Sequence, residues 1–372
     1  MELINATRMT AGYNMGLEPS GRELLVVVIK GTFVLPRPGE AVRLADEQLP
    51  LIMADTFTGA PGFSSPVGEI DFAPRKRACD VLLVGSAHAP AGKAVTRMRV
   101  RLQVGPLVKE AEVVGPRLWN ANIATIGASE PEHFTCLPLS YDVAFGGADR
   151  YHEDESEHDA YSPNPSGRGW HKHLKTQWVD GSPLPNLEVP GQPVTDPAGR
   201  YTPISFGPLA RGWPARACFA GTYDQQWLDD VFPFLPKDFD ERYYQAAPED
   251  QQLPLPKGPL EVVLSGFTPD GERRFMLPHF EAPVHVFPKR GEREDLVASL
   301  DTIVFEPDAE RFTMSWRVAR PLKRNLHEIA QVVVGAKGRL WWQQRESIAV
   351  VQPDAVAVAP QIAQAAPAAG AR

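Results

Sequence analysis

The side chains most suggestive of chemistry lie in one stretch, YHEDESEHDAYSPNPSGRGWHKHLK, where His152, His158, His171 and His173 stand among several carboxylates. Imidazole nitrogens and carboxylate oxygens hold zinc and related ions, so a metal centre is the first reading to weigh. The spacing argues against it. There is no HExxH or comparably regular ligand pair, and the acidic part sits between Pro- and Gly-rich runs, so the expectation is a solvated acidic loop without metal.

Nucleophilic catalysis would call for a serine on a strand-to-helix elbow, and the nearest stretches, GFSSPVG and NPSGRGW, lack GxSxG. No GxxxxGK[ST] loop occurs. The glycine-dense AFGGADR, with Gly146 and Gly147, lacks the strand–loop–helix context that lets backbone amides hold a pyrophosphate, and reads as a turn. Carboxylate pairs such as Asp229 with Asp230, or Asp238 with Asp240, arise by chance in a chain with 46 acids. Cys79, Cys136 and Cys218 form no CxxC and read as idle thiols. The expectation is no catalytic residue, no metal and no cofactor.

The formal net charge is -8 with no long basic block, which excludes a counterion-releasing surface for nucleic acid. MELINATRMTAGYN lacks the charged region and apolar core of a signal peptide, and the apolar run Leu24 to Ile29 is far shorter than the roughly 20 residues that cross a bilayer. A cytoplasmic protein without membrane insertion is expected.

The elements follow from the punctuation. Thirty-seven prolines are spread through the chain, so long helices should be scarce. GRELLVVVIKGTFVLPRPG reads as a strand ending at Pro36, and Asp80 to Ser86 as another. In TRMRVRLQV, Met98, Val100, Leu102 and Val104 alternate with Arg97, Arg99, Arg101 and Gln103, giving one core face and one wet face. The arginine stripe reads as a solvated face, with docking of an acidic partner as the alternative. Gly105-Pro106 then reverses the chain into VKEAEVVG. Two later hairpins turn at Asp270-Gly271 and around Glu306-Pro307-Asp308.

Between Trp119 and Leu260 the sequence is dense in Pro, Gly and aromatic residues from Trp170 to Tyr244, which suits packed loops rather than disorder. Asp224 before QQWLDDVF and Asp238 before FDERYYQAA are placed to cap two short helices, the second burying Phe239, Tyr243 and Tyr244. The expected fold is mainly β, with antiparallel sheets in a sandwich- or barrel-like arrangement, an irregular central region and a few short helices. Residues 1–352 would form one β-rich unit, with parts at 1–118, 119–260 and 261–352, and the Ala/Pro-rich residues 353–372 a disordered tail.

AGTYDQQW followed by LPKDFDERYYQAAPEDQ, together with KGTF from Lys30, PRKRACDVLLVGSAHAP, PLSYDVAFGG, NPSGRGW and PNLEVP in that order, closely resembles the bacterial family called domain of unknown function 2169. The resemblance spans roughly Leu24 to Arg317. It implies an association with type VI secretion, in which such proteins act as non-catalytic cytoplasmic adaptors or chaperones. Their partners would be a cognate effector and the valine-glycine repeat spike protein or PAAR-tip protein onto which it is loaded. Gly146, Gly147, Gly167, Gly169 and Gly221 would serve backbone conformations and Trp170, Trp213 and Trp227 packing. Lys30, Lys76, Asp80, Asn164, Arg168, Arg216, Tyr223 and Asp224 are polar motif residues that would form a buried network or line a cleft. The rival expectations are an enzyme using such a cleft, and a structural component carried by the secretion apparatus.

Overall fold

The computed structural model describes residues 1–336. The tail expected at 353–372 lies outside the described residues.

The principal strands are β1 (Glu2–Asn5), β2 (Thr10–Leu17), β3 (Glu23–Val34), β4 (Cys79–Leu83), β5 (Arg97–Val104), β6 (Leu107–Val114) and β7 (Leu187–Glu188). They continue with β8 (Gln252–Leu253), β9 (Glu261–Ser265), β10 (Arg273–Met276), β11 (Ala282–Pro288), β12 (Glu294–Glu306), β13 (Arg311–Pro321) and β14 (Ile329–Val334). The larger sheet runs β1-β14-β11-β12-β13-β3-β2, and the β1–β2 turn brings its two ends together into a nearly closed barrel. Off this path β4 pairs parallel with the second half of β12, and β8 pairs with β4. A five-stranded sheet, β7-β6-β5-β9-β10, supplies the facing layer. The mainly β fold with antiparallel sheets is as expected.

The run LLVVVI explains why β3 is central. An unbroken apolar strand suits burial on both faces, and every residue from Leu24 to Phe33 is buried. Ile29 and Phe33 of β3, Phe312, Met314 and Trp316 of β13, and Ile303 and Phe305 of β12 face inward. There they join Val100, Leu102 and Val104 of β5 and Val262 and Leu264 of β9 in one core. Each such side chain contributes roughly 1.5–3 kcal/mol by leaving water. Leu24, Val26 and Val28 point the other way, under Phe72.

On the outer face of the five-stranded sheet, Arg99 lies between Glu110 and Glu112, Arg101 faces Glu110, and Arg97 faces Glu188. The arginine stripe is therefore neutralised by carboxylates across the sheet, in keeping with a solvated face.

Two local expectations are corrected. Asp80 to Ser86 is not one strand: after Leu83 the chain passes Gly85, and Ser86–His88 pairs instead with Cys136–Pro138. Asp238 caps no helix. It accepts from Thr222 N and Oγ1, while Asp240 accepts from Arg242 N at the start of a 3-10 turn, Glu241–Tyr244. Phe239, Tyr243 and Tyr244 are half-buried and pack against one another.

The central region has its own small core of Trp119, Phe145, Val179, Leu184 and Val194, with Tyr161 and Tyr201 set edge-on against Phe145. Its main-chain crossing requires glycine. Gly146 (φ 146) and Gly147 (φ 100) lie so close to the Asn164 and Gly167 carbonyls that a Cβ would sit 2.1 and 2.4 Å from those oxygens.

Candidate functional site

The strand register gathers polar side chains on the face of the larger sheet opposite the apolar core. Lys30 of β3 is paired with Ser315 of β13, Ser315 with Thr302 of β12, and Thr302 with Asp80 of β4. One row thus crosses four strands. A β-bulge between Leu300 and Thr302 inserts Asp301 beside Arg317, and the segment from Leu49 to Lys76 folds over this face.

Most of these groups pair with one another, although Glu69 Oε2 and Arg317 Nε are buried without a hydrogen-bond partner. Lys76 Nζ donates to Asp80 Oδ2 at 2.6 Å and to Thr302 Oγ1 at 3.1 Å, and lies 3.6 Å from Glu69. Thr302 donates to Asp301, which also accepts from Arg317 Nη1 at 2.7 Å; Arg317 Nη2 donates to the Asp71 carbonyl, and the Asp71 carboxylate accepts from Lys30 at 2.9 Å. On the other side Glu69 accepts from Arg211 and Arg216, and Arg211 reaches Asp55 at 2.7 Å. Five cations (Lys30, Lys76, Arg211, Arg216, Arg317) meet five carboxylates (Asp55, Glu69, Asp71, Asp80, Asp301). Burial by itself works against the Lys76 ammonium, but Asp80 and Glu69 overcome it and raise its pKa, so Lys76 remains a charged donor rather than a base. Burial raises the Asp301 pKa despite Arg317. A cavity of about 250 Å³ beneath the covering segment is lined by members of both signs, which leaves little net field to select an anion.

The network has a mechanical consequence. Asp80 also accepts from Gln245 Nε2 and Ala246 N, both at 2.8 Å, while Arg216 donates to the Leu209 and Tyr243 carbonyls. These bonds tie down both ends of the segment between Trp213 and Gln245. Burial pushes the Tyr244 phenol at its base up to about 12. A groove of about 790 Å³ runs beside this base, with Met53, Phe57, Phe72, Pro74, Trp213 and Tyr244 in its wall.

What the network holds is an exposed lobe. Asp224 caps the helix α1 (Gln225–Asp230) by accepting from Trp227 N at 2.8 Å, as its position predicts. Trp227 sits edge-on to Tyr223 (4.8 Å between ring centres) and Phe232 (5.6 Å), and its indole N–H donates to the Phe234 carbonyl. Phe234 lies against Gly21 (φ 80) in the β2–β3 turn, where a Cβ would come within 2.7 Å of the ring. Tyr223 (54%), Leu228 (51%), Phe232 (61%) and Phe234 (45%) nevertheless remain largely exposed.

The eight polar motif residues thus separate into three places. Lys30, Lys76, Asp80 and Arg216 share the buried network. Asn164 and Arg168 brace the glycine crossing: Asn164 Nδ2 donates to the Tyr141 and Phe145 carbonyls, and Arg168 Nε to that of Asp142. Tyr223 and Asp224 belong to the lobe. Glu69, Asp71, Asp301, Arg211 and Arg317 escaped sequence reasoning because their roles depend on long-range register, and no local pattern marks them.

The histidine stretch also divides. His158 pairs with the His152 carbonyl, whereas His171 and His173 converge on buried Asp149, at 3.6 and 3.0 Å. Among the described residues no group of three or more His, Cys, Asp or Glu side chains is arranged to hold a metal ion. His171 Nε2 lies 2.8 Å from Ser182 Oγ, completing a serine–histidine–aspartate series. Ser182 Oγ also lies 2.6 Å from the Val179 carbonyl, an acceptor that competes with His171 for the hydroxyl proton.

Taken together, these features define a β-sheet scaffold that encloses a charge-balanced polar network and presents an aromatic lobe. By its sequence the chain belongs to the bacterial DUF2169 family, described as "Uncharacterized protein conserved in bacteria", whose match spans residues 20–317. That span includes the network and the lobe. No curated protein and no solved structure gives a match. No helix among the described residues is long and apolar enough to cross a membrane.

Proposed function

We propose that this protein is a non-catalytic adaptor that binds a type VI secretion effector and promotes its loading onto the valine-glycine repeat spike or PAAR tip, acting in the cytoplasm. The observation that carries the binding role is the lobe: large apolar side chains, Tyr223 and Phe232 among them joined through Trp227, exposed on a segment whose ends are fixed by buried ion pairs. Soluble folds rarely leave such groups in water without a use, and aromatic side chains of this kind supply much of the energy at protein interfaces. The assignment of the partner to type VI secretion rests on the family resemblance.

The polar network is consistent with this reading. Most of its charged groups bond one another and the main chain at the base of the lobe, which suits a role in holding the binding surface in shape. Co-purification of the tagged full-length protein from its native cells, with the secretion system expressed, tests the proposal. An effector, spike or PAAR protein in near-stoichiometric amount is expected. A partnerless protein under those conditions would contradict the adaptor role.

A further inference from the structure

We infer that the lobe receives an amphipathic protein segment that carries both apolar and cationic side chains. This deepens the adaptor reading and rests on it for the biological partner, but its physical basis is independent of any secretion system.

Two features of the surface select the same partner. The first is apolar: Tyr223, Leu228, Phe232 and Phe234 expose about half of their area each, with Trp227 at the centre of the aromatic group. The second is electrostatic. From Tyr223 to Asp238 the segment carries the carboxylates Asp224, Asp229, Asp230 and Asp238, and its one cation is Lys237. Asp224 and Asp238 accept from backbone N–H groups, which fixes the positions of both carboxylates. Thr222 holds the Asp238 pKa below the ordinary carboxylate value.

Exposed aromatic faces also attract cations through their quadrupole, so rings and carboxylates act in the same direction on Lys or Arg. An acidic segment would be repelled by the carboxylates. A purely polar segment would leave the rings in water, and a purely apolar one would bury carboxylates without counter-charges. Only the mixed segment satisfies both features, and the chain's overall charge of -8 would steer it in.

The test is fluorescence anisotropy of labelled synthetic peptides of about 18 residues, roughly five helical turns, titrated with the full-length protein. One peptide combines Leu with Lys and Arg, a second replaces the cations with Glu, and a third replaces Leu with Ser. The first should bind, and each substitution should weaken binding by roughly tenfold or more, about 1.4 kcal/mol. Salt should weaken the first complex. Leu228→Ser/Phe232→Ser should weaken it by a similar factor with an unchanged melting temperature, while Asp229→Asn/Asp230→Asn should reduce the salt dependence without touching the rings.

Equal binding of the Glu peptide, absence of binding by the first peptide, or indifference to the Leu228→Ser/Phe232→Ser change would overturn the inference. So would a drop in the protein's mass on that double substitution, since a second copy would then occupy the lobe. The two readings fail separately. If a secretion protein co-purifies but the peptides do not bind the lobe, the adaptor role stands and this inference falls; peptide binding without any secretion partner gives the converse.

Discussion

Asp80 has no exposed surface and accepts from three donors, Lys76, Gln245 and the Ala246 amide. Removing one partner of such a pair strands the other charge in a poorly solvated place. Asp80→Ala or Lys76→Met should therefore destabilise the protein by about 3–5 kcal/mol in urea unfolding. A loss under about 1 kcal/mol would mean that the network is not what holds the segment from Trp213 to Gln245. His171 supplies a pH signature. Burial holds its pKa below the ordinary 6.5, although Asp149 pulls the other way. As pH falls, the unfolded chain takes up this proton before the folded one, so unfolding free energy declines from about pH 6.5 toward the folded-state pKa. Carboxylates held low, such as Glu294 through its hydrogen bond to Arg320, begin to cost stability only as pH drops through the ordinary carboxylate range and below, about 4.5 for glutamate. His171→Gln should remove part of the slope below about pH 6.5, whereas a profile parallel to wild type would contradict this role. Residue types alone suggested that Lys30, Lys76, Asp80 and Arg216 were buried or clustered. Their partners could not be read, because Glu69, Asp301 and Arg317 look like any surface acid or base until the register places them.

Among the elements, strands with strong local patterns were legible. The LLVVVI run, the alternation of Arg97 to Val104 and the turns at Gly105-Pro106 and Pro307-Asp308 led to the strands and reversals found. β1 and β2 were not, because MELINATRMTAGYN alternates weakly and its pairing depends on β14 and β3, distant in sequence or still to come. The second helix was misplaced for a similar reason: Asp238 and Asp240 are equally good caps by type, and the Thr222 contact that claims Asp238 comes from across the lobe. The glycine crossing gives the sharpest prediction at this scale. In Gly146→Ala or Gly147→Ala the new Cβ would strike a carbonyl oxygen held by the backbone, at a φ that L-residues avoid. Each should lower unfolding free energy by at least about 3 kcal/mol, and near-wild-type stability in urea would show that the crossing relaxes freely.

Across the described unit, sequence order and spatial order diverge. β3 pairs with β13 along eleven residue positions, and β12 brings Thr302 beside Asp80. The early and late strands of the described residues therefore depend on each other for hydrogen bonds as well as core. A fragment of residues 1–118 should show no cooperative melt by circular dichroism, whereas an independently folded fragment would contradict this dependence. The same long-range closure lets a loop-rich lobe stand exposed on a rigid base, and that pairing of held base and open surface is the central claim. Its most direct test is site-specific photocrosslinking in native cells with the secretion system active. A benzophenone side chain would be placed at Leu228 or Phe232 on the lobe and, for comparison, at Met276 or Val297, which are exposed elsewhere. Crosslinks to an effector, spike or PAAR protein from Leu228 and Phe232, and none from Met276 and Val297, are predicted; crosslinks from Met276 or Val297 with a silent lobe would contradict the account.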